Sequence, residues 1–94
     1  FKISLRLNQN YAEAYNNMGL CFNMKGDNEK AITNFTTAIT IKPDYAEAYN
    51  NRAVSYSKIK QSDEAKEDVQ KALKLGARVN PRFLEYLQTV GSEK

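Results

Sequence analysis

Side chains able to do chemistry are scarce in this chain of 94 residues, so their types and spacing decide what it can do. Histidine is absent, and with it the usual proton donor and acceptor near neutral pH. Cysteine occurs once, as Cys21, and a lone thiol without histidine assembles no ordinary zinc or iron site. No catalytic residue, metal or cofactor is expected, and Cys21 reads as a small hydrophobe beside the core. The acidic clusters Asp63-Glu64 and Glu67-Asp68 read as a solvated helix face rather than a catalytic dyad. Asn34-Phe35-Thr36 fits a glycosylation acceptor pattern but falls inside a helical stretch. What remains is amide chemistry: Asn16-Asn17 recurs as Asn50-Asn51. An asparagine side chain offers both a donor and an acceptor, so it can bracket a peptide group of any sequence.

Composition narrows the classes further. There are 14 basic and 11 acidic residues, a formal charge of +3. Residues 1–48 carry five charges of each sign, so the excess lies in the C-terminal half. A bias this mild attracts acidic partners at long range but leaves no nucleic-acid footprint. Uninterrupted apolar stretches reach only two or three residues, so no membrane insertion is expected. The first seven residues lack the apolar core and cleavage site of a signal peptide. One cysteine closes no internal disulfide, which fits a reducing compartment, and a cytoplasmic location is expected.

The asparagines recur because the chain repeats. Residues 11–17 read Tyr-Ala-Glu-Ala-Tyr-Asn-Asn, and residues 45–51 read the same, 34 positions on. At that offset Ala31 meets Ala65, Ala38 meets Ala72, Phe22 meets Tyr56 and Ile41 meets Leu75. Backwards it sets Phe1 on Phe35, Leu5 on Ile39 and Leu7 on Ile41; forwards, Phe83 on Tyr49 and Leu87 on Ala53. Four segments follow: the end of a preceding repeat over residues 1–10, a repeat over 11–44, a second over 45–78, and a capping helix with its tail over 79–94.

Each unit reads as two helices. Ala14, Tyr15, Met18, Cys21 and Phe22 recur at the three- and four-residue spacing of one helical face. Asn10 and Asp44 each precede a glutamate by three positions, Glu13 and Glu47, as in a capping box. Gly26 suits a left-handed cap, Asp27 can open the next helix, and Pro43 stops it. Lys60-Gln61 stands where the first unit has Gly26-Asp27. A left-handed lysine costs ~1 kcal/mol, so a looser second turn is expected. The second helix of the second unit should run from about Ser62 to Leu75, and Asn80-Pro81 should open a last helix.

Tyr15, Met18, Gly19, Phe22, Ala31, Phe35, Ala38 and Pro43 resemble, in order and spacing, the tetratricopeptide repeat. The second unit departs from it at Arg52, Val69 and Ala77, which replace a large apolar residue, an aromatic one and a proline. The resemblance implies an all-α fold, a right-handed superhelical stack of antiparallel helix pairs. Small residues (Gly19, Ala31, Ala38, Ala53, Ala65, Ala72) would let helices approach, and the aromatics Tyr15, Phe22, Phe35, Tyr49 and Tyr56 would fill the core. Arg52 is expected to pair with Glu67 or Asp68.

The resemblance also implies a protein–protein interaction module that grips an extended peptide on its concave face. Carried over, that face comprises Glu13, Asn16, Asn17, Leu20, Asn23 and Met24, then Glu47, Asn50, Asn51, Val54, Ser57 and Lys58. Asn17 and Asn51 would hold ligand backbone; Leu20, Val54 and Lys58 would supply preference. The clamp that reads chaperone C-termini is not expected, since Leu20, Asn16, Pro81 and Glu85 replace its asparagine and basic residues. A substrate-recognition arm of a larger enzyme, such as a glycosyltransferase, is the alternative. RNA-reading repeats fit the period and charge less well. Because residues 1–10 match half a helix pair, self-association through that incomplete repeat is also expected.

Overall fold

The computed structural model describes residues 2–92, and side chains from Asn10 to Thr89. Five helices account for them, with no strand among the described residues: α1 (Lys2–Met24), α2 (Asn28–Ile41), α3 (Ala46–Lys58), α4 (Ser62–Lys74) and α5 (Pro81–Ser92). Helices α1 and α2 form one antiparallel hairpin and α3 and α4 a second; α2 packs against α3 to join them, and α5 rests on the end of the second pair.

Backbone chemistry explains the turns. Gly26 has a φ of +88, and the N–H groups of Gly26 and Asp27 donate to the carbonyls of Asn23 and Phe22 at 3.1 and 2.9 Å. That bond pair is the Schellman closure of a helix end. Asp27 then caps α2, its side chain accepting from the Lys30 N–H at 3.2 Å. The second turn is not looser. Lys60 takes a φ of 64, and Lys60 and Gln61 donate to Ser57 and Tyr56 at 3.2 and 2.9 Å. The lysine accepts left-handed strain and the turn closes on the same two bonds. Gly76 repeats the closure after α4, and Asn80 caps α5 through the Arg82 N–H at 2.9 Å.

Two expected starts differ. The sequence places a helix start at Asn10, yet α1 runs unbroken through it for 23 residues. Asn8-Gln9-Asn10 occupies the register of Lys42-Pro43-Asp44, where α2 ends. Proline lacks an N–H and its ring clashes with the preceding turn, whereas glutamine continues a helix. The other difference is at Asp44: Tyr45 is the residue before α3, and no side chain caps that helix.

The interior is built by size matching. Ala31, Ala38, Ala53, Ala65 and Ala72 are fully buried, as is Phe35. Tyr15, Phe22, Tyr49 and Tyr56 are half-buried. A Cβ on Gly19 would lie 2.4 Å from the Phe35 ring, so only glycine admits that ring at this crossing. One repeat on, Ala53 meets the smaller Val69 in a cluster closed by Leu87 of α5. Glycine with phenylalanine has become alanine with valine.

Arg52 pairs with Asp68, not Glu67. Its Nε and Nη2 donate to the two carboxylate oxygens at 2.7 Å each, and Nη1 donates to the Thr36 hydroxyl at 3.2 Å. The guanidinium also lies 5.6 Å from the ring centres of Tyr49 and Tyr56, within cation–π range. Its pKa is raised, first by the Asp68 hydrogen bond. Arg52 thereby ties α3 to α2 and α4.

Candidate peptide-binding face

The inner seam between α1 and α3 is held by two side-chain rungs. Asn51 Nδ2 donates to Asn16 Oδ1 at 3.1 Å, and Lys58 Nζ donates to Asn23 Oδ1 at 3.0 Å. Both rungs join residues 35 apart, and they sit seven positions, two helical turns, from one another. Leu20 lies on α1 between them, exposed to solvent.

The rungs change the standing of several residues named from the sequence. Asn16 is only 2% exposed, so it is a bridge inside the protein rather than a group on the binding surface. Besides Asn51, it bonds the Tyr45 hydroxyl, whose pKa is raised by burial, then by Glu47 and Glu13, against the effect of the Asn16 bond. Asn51 spends one donor on Asn16, while Asn17, its repeat counterpart, is exposed. The Lys58 ammonium and Asn23 are occupied with each other. Glu13 and Met24 are exposed, and Val54 and Ser57 are half-buried.

Four of the expected residues converge. Leu20, Glu47, Asn50 and Asn51 line one open groove of about 510 Å³ together with Ala46 and the segment Leu75–Arg78. Asn17, Glu13, Val54, Asn23 and Lys58 lie outside its lining. Asn50 is the repeat counterpart of Asn16, but its Oδ1 is buried with no hydrogen-bond partner among the described residues. The cause is the register. Asn51, which donates to Asn16, has Glu85 as its counterpart, and a carboxylate supplies no such donor. Arg78 and Glu47 bring charges of opposite sign to the groove lining.

Sequence reasoning missed the Leu75–Arg78 wall. The one signal was Ala77 in the register of Pro43. Without that proline, Gly76 ends the helix, and six residues, 75–80, separate α4 from α5, against four between α2 and α3.

Three family profiles match along the chain: one described as TPR repeat over residues 21–60, and two described as tetratricopeptide repeat over 46–76 and 1–33. The chain belongs to the tetratricopeptide-repeat family. Among curated proteins none matches. Among solved structures it is similar to "Crystal structure of MamA", with 35% identity and a TM-score of 0.67, over 69% of this chain and 38% of that one. A second, "Crystal structure of MamA protein", gives 31% identity and a TM-score of 0.65 over 76% and 43% of the two chains. The chain thus spans less than half the length of these solved relatives. The fold is an all-α tetratricopeptide-repeat solenoid, the architecture of a protein–protein interaction scaffold. Among the described residues no helix is long and apolar enough to cross a membrane.

Proposed function

We propose that the concave face of α1 and α3, walled at one end by Leu75–Arg78, binds a partner protein through an extended peptide segment. The observation that carries this is the groove around Asn50. The Asn50 and Asn51 amides in its lining can donate to and accept from the groups that a peptide backbone presents at regular intervals. Leu20, Leu75 and Ala77 give an apolar side chain of the ligand somewhere to rest. Glu47 and Arg78, of opposite sign, bias which charged side chain lies at each end. Asn17, one turn before Leu20 on α1, extends the same track with its amide, and Asn51 adds the groups that its rung leaves over.

The test starts from a peptide captured in an array screen with this chain. Asn17→Ala with Asn50→Ala should weaken that peptide by about 1 kcal/mol per lost hydrogen bond, roughly tenfold or more together. Both residues lie outside the rungs, so the melting temperature should stay close to that of the unsubstituted chain. Undiminished affinity in the double variant would remove the groove from the account. Amidating the peptide C-terminus should change little, because Glu85 stands in α5 where a carboxylate clamp requires a base.

A further inference from the structure

Helix α1 carries a stripe that its counterpart keeps covered. Tyr11, Ala14, Met18 and Cys21 follow one another at spacings of three and four, and all four are exposed, Tyr11 at 55% and Met18 at 45%. Their counterparts are Tyr45, the residue before α3, and Ala48, Arg52 and Ser55 on α3. Ala48 and Ser55 are fully buried there, and Tyr45 and Arg52 are half-buried. Part of that cover comes from the end of α2: Ala38 and Ala48 share one buried cluster, with Ile39, Ile41 and Tyr45 packed against it.

The segment that would cover α1 in the same way is present in the sequence but not folded back. Residues 1–8 occupy the register of 35–42, with Phe1 on Phe35, Leu5 on Ile39 and Leu7 on Ile41. The backbone of residues 2–10 continues α1 as helix, so it does not turn back onto the stripe of its own chain. A hairpin opened at its hinge satisfies its contacts by exchange with a second copy. The geometry points to that exchange: we infer that two copies pair antiparallel along α1, each N-terminal arm covering the Tyr11–Ala14 part of the other's stripe.

The register is self-consistent. Ala38 and Ala48, which share that cluster, and Ile41 and Tyr45, which pack against it, correspond 34 positions back to Ser4 and Ala14, and to Leu7 and Tyr11. Both derived pairs are centred on residue 9, so a two-fold axis beside Gln9 creates both at once, in both copies. Helical spacing sets positions 4 and 7 in line with 11, 14 and 18, giving the three-four seam that antiparallel helices use. The hinge is the stretch where Gln9 replaces proline. The paired surface lies on α1 away from the α1–α3 groove, so this inference stands independently of peptide binding.

Sedimentation of the full chain across a concentration series should show a species of twice the chain mass. Tyr11→Glu, a change at an exposed position, should shift it to the single-chain mass, and Gln9→Pro should do the same by closing the hinge. The decisive arm mixes two chains in a Cys21→Ser background, one with Ser4→Cys and the other with Ala14→Cys. Mild oxidation should cross-link them to each other far more than either chain to itself. A chain that stays monomeric throughout, a dimer indifferent to Tyr11→Glu or Gln9→Pro, or a mixture that fails to cross-link overturns the inference.

Discussion

The seven-residue run Tyr-Ala-Glu-Ala-Tyr-Asn-Asn lies inside α1 and recurs from Tyr45 into α3, and its two copies meet different surroundings. On α3 the run is flanked by α2, α4 and a bidentate Arg52–Asp68 pair, so its outward stripe is largely covered. On α1 the same stripe faces water, and Met18 stands where α3 has its arginine. The asparagines diverge in the opposite sense. Asn16 of α1 is sealed by two partners from the next repeat, whereas Asn50 of α3 keeps an unpaired oxygen at the groove. Identical local sequence thus sets the helix and its register. The neighbour on each side decides whether a given residue becomes core, bridge or binding surface. In a solenoid those neighbours come from adjacent repeats.

The Arg52–Asp68 pair is the place to break this contrast most severely. Asp68→Ala leaves a guanidinium between two tyrosine rings without its carboxylate. A loss of about 3 kcal/mol is expected, read from denaturant unfolding. Arg52→Met with Asp68→Leu, which gives α3 the residue of α1, should recover most of it.

The Gly19–Phe35 crossing tests size matching with a change of sign. Gly19→Ala should cost about 1–2 kcal/mol, because crowding against Phe35 exceeds the ~1 kcal/mol gained in helix propensity. In a Phe35→Val background, which copies the Ala53–Val69 crossing, the same substitution should stabilise. A cost of equal size in both backgrounds would show that the ring is not what requires glycine.

The turns differ by one strained residue. Lys60→Gly should stabilise the chain by about 1 kcal/mol, and Gly26→Ala should destabilise it by a similar amount, both read as shifts in the unfolding midpoint. The smallest effect is in alkali. Burial first, then Glu47 and Glu13, raise the Tyr45 hydroxyl above its ordinary 10.0, so the folded chain holds that proton more tightly than the unfolded chain. Stability from this source is complete below the ordinary value and is lost as pH climbs through the folded one. Tyr45→Phe should flatten that decline in a pH series of melts.

Much of this was legible in the sequence because a 34-residue offset carries the fold with it. The small residues, the Gly26 turn and the Asp27 cap follow from types and register, while the choice of Asp68 over Glu67 as the partner of Arg52 does not. The unbroken α1 was legible too, in Gln9 against Pro43, but the expected capping pattern at Asn10 outweighed it. The fates of Asn16 and Asn50 were not legible. Asn16 is buried by Tyr45 and Asn51, 29 and 35 positions away, and no local pattern distinguishes it from Asn50. The groove wall was hidden for a similar reason, since Leu75–Arg78 bears no motif and gains meaning only where its path crosses α3.

The most direct measurement is amide chemical-shift mapping of this chain during titration with its captured peptide. The largest changes should cluster at Leu20, Asn50, Asn51, Ala77 and Arg78, with Asn17 next, and should leave α2 and the outer side of α4 still. Changes confined to α2 and α4, or to the Tyr11–Met18 stripe, would contradict the assignment of peptide binding to the concave face.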